Sequence, residues 1–383
     1  MTNATKVVIV LGAGSTNADA DTTNEHEKPP INNGFFQNTF EFLNDSKNTL
    51  ENRHLLLKQF EYIRAYFEIW HGKNICDGEN DSLEGVVSDL FREINEDSPS
   101  EKPASTVFLE FMKLFSDILG VKTNAIKIDK TKALFQIINF YLKNGVHPQN
   151  LTIISFNYDI YLEKTLEQFE VMANISYPPK KIFLYPYCYK MRFSLPTRPP
   201  SPRQGYFRIP LKYQRRGGVS VLKLHGSLNW YSLYPDKGAN ILEDVFDSKK
   251  RVYVSQEKDI SSVQMRKYRN RRGTVVKTIP RIIPPVGDKS KIYHSKIQNL
   301  WLYANTKLSN ATELLIYGYS CPKTDLASEK LFESALSRNN KINKIMIIDK
   351  NADLFQRYQK IFAPKKIDGI YSGASEFLMK NCG

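Results

Sequence analysis

The chain has 383 residues, 41% hydrophobic and 25% charged, a globular composition that excludes disordered, collagen-like and coiled-coil readings. At this length, two domains or one domain with large insertions are expected. The formal net charge is +14 but is unevenly spread, with 16 basic and 25 acidic side chains in residues 1–170 against 38 and 15 in residues 171–383, which points to an anionic partner for the basic half.

No uncharged apolar run approaches the ~18–20 residues of a membrane span, and the first six residues lead into a strand and not a signal peptide. A soluble, cytoplasmic chain is expected. Cys76, Cys188, Cys321 and Cys382 form no CxxC pair, so reduced structural thiols are expected in place of a zinc ribbon or disulfides. The six histidines show no HxxxH or HExxH spacing, and no metal centre is expected.

In chain order, residues 6–11 (KVVIVL) read as a buried parallel strand, because an uninterrupted apolar run suits a strand covered on both faces. A polar loop follows and closes at Pro29-Pro30. Residues 35–145 are largely helical. Leu83, Val86, Val87, Leu90, Phe91 and Ile94 form one amphipathic stripe, and Phe108, Phe111, Met112, Phe115 and Leu119 form a second. Leu134, Ile137, Ile138, Tyr141 and Leu142 form a third, and all three are read as core. Residues 151–155 (LTIIS) are the next buried strand.

Residues 171–235 contain no Asp or Glu and 11 Lys or Arg; rich in Pro, Tyr and Phe, they suit short strands and loops. The block includes an apolar strand at 219–224. A second basic cluster, residues 266–272, is expected in an exposed hairpin. Strands at 314–317, 345–348 and 369–372 alternate with helices at 326–338 and 351–362, before a terminal helix. This alternation predicts an α/β fold, a Rossmann-like doubly wound parallel sheet.

Each strand end carries polar residues. Gly12-Ala13-Gly14-Ser15 follows the first strand, where glycines would let backbone N–H groups approach a pyrophosphate; a plain strand–turn–helix corner reads the same way. Asn157 and Asp159 leave the second strand, either to hold ligand hydroxyls or to cap a helix. His225-Gly226 ends the strand after the basic block, where a histidine can titrate near neutral pH or serve structure. Gly318-Tyr319-Ser320 follows the next strand with Asp325 shortly after, and Asp349 ends the one beyond, suited to a ribose diol or to a helix cap.

The ordered set GAGS, SFNYD, LHGS, GYS and an acid at the next strand end resembles the motif order of the sirtuin family. It is more similar to the bacterial defence-associated branch, through residues 29–36 (PPINNGFF), 82–84 (SLE) and 318–325 (GYSCPKTD). The deacetylases of the family carry a paired CxxC module and a G-I-P-D-F-R segment, and neither has a counterpart here.

This resemblance implies one sirtuin-like Rossmann domain over 1–383, with a helical insertion at 35–150 and a basic insertion at 171–220 in place of the zinc module. It implies NAD as substrate, with Gly12, Ala13, Gly14 and Ser15 on the pyrophosphate, Asn157 and Asp159 by the nicotinamide ribose, and His225 as the catalytic imidazole. Gly318, Ser320 and Asp349 would hold the adenosine half. The implied activity is metal-independent NAD hydrolysis to nicotinamide and ADP-ribose, in antiphage defence by NAD depletion. Restraint would come from homo-oligomerisation and a separately encoded HerA-like or AAA-type ATPase. Three alternatives are weighed: an NAD-dependent deacylase, a nucleic-acid-binding or nuclease subunit of a defence complex, and a catalytically dead NAD-sensing module, against which Asn157 and His225 argue. Replacing Asn157 by Ala is expected to abolish turnover and leave the fold intact.

Overall fold

The computed structural model describes residues 4–30, 34–46, 50–77, 82–95, 101–173, 183, 187–191, 218–233, 253–254, 268–269, 275–276, 278–283, 295–323 and 325–381. The continuous apolar runs fold as strands whose successive residues are all buried, as expected where both faces are covered. They are β1 (Val7–Leu11), β2 (Leu151–Ser155) and β3 (Ser220–Lys223). The 3.6-residue stripes fold as helices: α1 (Ala13–Ala18), α2 (Phe35–Asn44), α3 (Arg53–His71), α4 (Leu83–Asn95), α5 (Glu101–Asn124), α6 (Ala133–Lys143) and α7 (Tyr161–Ala173). Next come β4 (Gly226–Leu233), the two-residue strands β5 (Tyr253–Val254), β6 (Tyr268–Arg269) and β7 (Val275–Val276), and β8 (Thr278–Ile282). The chain continues through α8 (Ser295–Ser309), β9 (Glu313–Tyr317), α9 (Leu326–Ser337), β10 (Lys344–Ile348), α10 (Leu354–Phe362), β11 (Gly369–Tyr371) and α11 (Ala374–Asn381).

Six strands form one sheet in the order β11-β10-β9-β1-β2-β3, and every pairing is parallel. Numbered by their own succession, these strands run 3-2-1-4-5-6 across the sheet. This is the doubly wound Rossmann order, and the α/β class read from the sequence holds. α6 packs with α1, α7 and α11, while α9 packs with α8 and α10.

By internal packing the chain divides into two units. The first comprises Met1–Asp19, Lys127–Ser227 and His294–Gly383; the second comprises Ala20–Ile126 and Leu228–Tyr293. The parallel sheet belongs to the first unit, as does α6, which lies within the 35–150 stretch read as a helical insertion. Asp19 anchors α6 there: its carboxylate accepts from Ala133 N–H at 2.7 Å, Leu134 N–H at 3.0 Å and Tyr161 O–H at 3.0 Å.

The second unit is built on α2 to α5 and on a small sheet in the order β5-β4-β8. Its core is aromatic, with Phe35, Phe36, Phe111 and Phe115 all buried. The expected stripes of α4, α5 and α6 are core except Phe91 and Leu142, which are part-exposed. Most of the 171–220 segment and of the 266–272 cluster lies outside the described residues, as do residues 31–33. Tyr268 and Arg269 pair antiparallel with Val276 and Val275.

Candidate functional site

In the strand order, β1 is the point from which the chain runs first to one side, through β2 and β3, and later to the other, through β9 to β11. Open α/β sheets hold ligands in the crevice at such a reversal, beyond the carboxyl ends of the strands. Here that crevice lies between the loops after β1 and β9. The two loops touch: Gly14 N–H donates to Gly318 O at 3.0 Å, and Gly12 N–H donates to Tyr317 O at 3.2 Å. A Cβ on Gly12 would sit 2.5 Å from Gly318 O, and one on Gly318, whose φ is +61°, 2.2 Å from Ser15 N. Close approach of the two loops therefore requires these glycines.

Ser15 closes the first turn, its N–H and Oγ both bonding to Gly12 O at 2.9 and 2.7 Å. The N–H groups of Gly12, Gly14 and Ser15, expected to face a pyrophosphate, are thus bonded within the protein. Ala13 is exposed on the outer side of the turn.

Asn157 reaches across from the end of β2. Its Nδ2 donates to Gly12 O at 2.9 Å and Thr16 Oγ1 at 3.1 Å, with Ser15 Oγ at 3.4 Å. The side chain is 7% exposed, and its Oδ1 is buried with no hydrogen-bond donor among the described residues. A buried acceptor without a donor costs on the order of 1–3 kcal/mol, so this oxygen is set to receive one. The Asn157 nitrogen thus also ties the β2 end to the β1 turn.

Asp159 is committed on both oxygens, to Thr16 Oγ1 at 3.1 Å and to Tyr161 N–H at 3.0 Å at the start of α7. Of its two readings, the helix cap is the one the geometry realises. Behind it, the fully buried Lys223 donates to Asp159 O and lies 3.6 Å from Glu163. Burial pushes the Glu163 carboxyl up and Lys223 opposes that shift, while Tyr189 O–H donates to Glu163 at 2.9 Å.

His225, 7% exposed, leaves β3 among aromatic rings, with its centroid 5.1 Å from Phe156, 6.0 Å from Tyr158 and 6.3 Å from Trp301. Trp301 Nε1–H donates to Leu224 O at 3.2 Å and steadies the strand end. His225 Nε2 lies 3.3 Å from Asp325 Oδ2, and Asp325 is 2% exposed. The same oxygen accepts from Tyr319 O–H at 3.1 Å and Ser328 O–H at 2.6 Å. Burial pushes the Tyr319 hydroxyl well above its usual range, so it remains a donor. A histidine held by a carboxylate can take up a proton, because the buried negative charge stabilises the imidazolium.

No protein-family model matches the chain, and no curated protein matches its sequence. Solved structures are similar to it at low identity. A Sir2 homologue in complex with NAD shares 12% identity at a TM-score of 0.43, covering 97% of this chain and 86% of the other. A serine-to-alanine mutant of a Sir2 homologue with ADP-ribose shares 13% at 0.41, covering 97% and 88%.

Among the remaining expected residues, Ser320 is exposed and Asp349 ends β10 beside the crevice, where Gly318 N–H donates to Ile348 O at 3.0 Å. Asp349 Oδ1 accepts from Asn351 N–H at 2.9 Å; burial pushes this carboxyl up, opposed by backbone N–H groups. The structure thus gathers the ends of β1, β2 and β9, with β10 adjoining and the β3 end joined through His225 and Asp325. Sequence reasoning missed Thr16, Lys223 and Trp301, and did not pair Asp325 with His225.

Among the described residues, one group in the second unit has metal-ligand character: His26, Glu27 and Asp45 each bring one ligand atom within 4.8 Å of the others. All three are part-exposed, as surface polar groups commonly are without an ion.

Proposed function

We propose that this chain hydrolyses NAD to nicotinamide and ADP-ribose in the crevice between the β1 and β9 loops. The observation that carries the reading is Asn157, whose nitrogen is held by Gly12 O and Thr16 while its buried oxygen accepts no hydrogen bond among the described residues. A ribose hydroxyl or an attacking water is the donor that such an acceptor suits. The doubly wound strand order, the ordered loop motifs and the His225–Asp325 pair support the same reading.

In the reaction, the bond between ribose C1′ and the pyridinium nitrogen breaks, and its electron pair leaves with nicotinamide as a neutral molecule. Water adds to C1′, and its proton passes to His225. Asp325 is a positioning residue that stabilises the charged imidazole and fixes its orientation. A placed base of this kind contributes ~10²–10⁴-fold. Departure of a neutral leaving group calls for no Lewis acid, so the cleavage is proposed as metal-independent. Asp349, at the adjoining strand end, is assigned to the adenosine ribose and Ala13 to the outer edge of the pyrophosphate site.

Charge asymmetry supports assembly: the acidic 1–170 half of one copy complements the basic 171–383 half of another. We assign the chain to antiphage defence by NAD depletion, with a separately encoded ATPase as regulator, on the motif resemblance alone. Chromatography of NAD incubated with the chain, alone and with the product of a neighbouring ATPase gene, tests the activity; a wild-type chain that releases no nicotinamide in either state refutes it.

A further inference from the structure

The second unit buries an ionisable group that the proposed chemistry does not use. Lys122, in the last turn of α5, is 2% exposed, and its Nζ has no hydrogen-bond partner among the described residues. The Phe42 ring lies 4.9 Å from that nitrogen, and Glu41 attracts it electrostatically. An ammonium buried against an aromatic face keeps three donors to satisfy. A methionine would fill similar space without burying a charge, and the Phe42 ring and Glu41 leave the three N–H donors without an acceptor among the described residues. Burial brings the amine from its usual 10.5 down to about 7, with Glu41 opposing.

Lys122 lines a cleft of about 350 Å³, a size suited to a small molecule. Phe42 and Ile126 give it apolar walls, and Asp21, Glu27 and Asp45 bring three carboxylates. Glu27 accepts from Thr22 O–H at 2.5 Å and Asn24 Nδ2–H at 3.1 Å, and these bonds hold its carboxyl below the usual range. Asp45 lies 3.7 Å from His26 Nε2. One cation among three carboxylates selects against a polyphosphate, which the acids would repel, and also against a plain cation, which leaves the amine unsatisfied. A molecule with one oxyanion and one ammonium meets both demands.

We propose that this cleft binds a small zwitterion of the amino-acid class, its carboxylate on Lys122 and its ammonium towards Glu27 and Asp45. The site is independent of the NAD reading.

The test is calorimetric titration of the full chain with glycine, 4-aminobutyrate and 6-aminohexanoate, which differ in charge separation. Hexanoate and hexylamine serve as one-charge controls. At least one zwitterion is expected to bind roughly tenfold or more tightly than both controls. Lys122→Met and Asp45→Asn are each expected to weaken that binding by about tenfold or more; Asp45 is part-exposed at the end of α2, so its variant tests the cleft without placing the core at stake. The proposal is overturned if no zwitterion outbinds the controls, or if either variant, folded by its melting transition, binds as wild type does.

Discussion

Replacing Asn157 by Ala separates the structural from the chemical role of one side chain. The amide nitrogen makes two good hydrogen bonds, to Gly12 O and Thr16 Oγ1, and a longer one to Ser15 Oγ. Its loss leaves neither main acceptor isolated, since Gly12 O still receives the N–H and O–H of Ser15 and the Thr16 hydroxyl still bonds to Asp159. The cost is therefore that of two net hydrogen bonds, about 1–3 kcal/mol, or a melting temperature lower by roughly 1–4 °C for a chain of this length. The acceptor proposed to meet substrate disappears altogether, and NAD turnover should fall by about 10²-fold or more. Thermal unfolding and chromatographic detection of nicotinamide on the same preparation give both numbers. Wild-type turnover would refute the site assignment; an unchanged melting temperature would refute the bridge between β2 and the β1 turn.

Asp325→Asn keeps the shape beside His225 and removes the charge, so NAD turnover should drop about 10²-fold or more with NAD affinity nearly unchanged; equal turnover in a steady-state assay counts against the pair. Gly318→Ala places a Cβ 2.2 Å from Ser15 N at a positive φ, and should cost upwards of ~2 kcal/mol of stability by denaturant titration; a wild-type midpoint would mean that the two loops do not meet this way. Lys122→Met should raise stability at pH 7. The folded-state value of Lys122 is about 7, below the usual 10.5, so between these pH values the unfolded chain binds more protons and wild-type stability rises with pH. The advantage of the variant should shrink by up to about 4 kcal/mol from pH 7 to 10; an advantage that grows with pH contradicts the burial.

The elements legible in the sequence were those whose environment is uniform along the chain. β1, β2, β9 and β10 are covered on both faces and read as unbroken apolar runs, and the α4 and α5 stripes repeat at helical spacing. Their polar ends could be named because the strand order brings them to one edge of the sheet. Partnership was not legible. Asn157 meets Gly12 145 positions away, and Asp19 caps α6 from a distance of 114. No local pattern records such pairs. The glycines after β1 read as a phosphate loop, yet their visible duty is the approach of Gly318, which only the register of β1 on β9 reveals. Lys122 carries the residue type least often buried, and nothing in its helix distinguishes it from a surface lysine. Strands as short as β5, β6 and β7 are too brief for any period to show.

Cleavage of NAD is proposed at the crevice beside Asn157 and His225. It is tested most directly by chromatography of NAD incubated with wild type and with His225→Ala, without acylated peptide. Equimolar nicotinamide and ADP-ribose are expected from wild type and neither from the variant. Equal release by both proteins, or nicotinamide release that requires an acetyl-lysine peptide and yields O-acetyl-ADP-ribose, would contradict it.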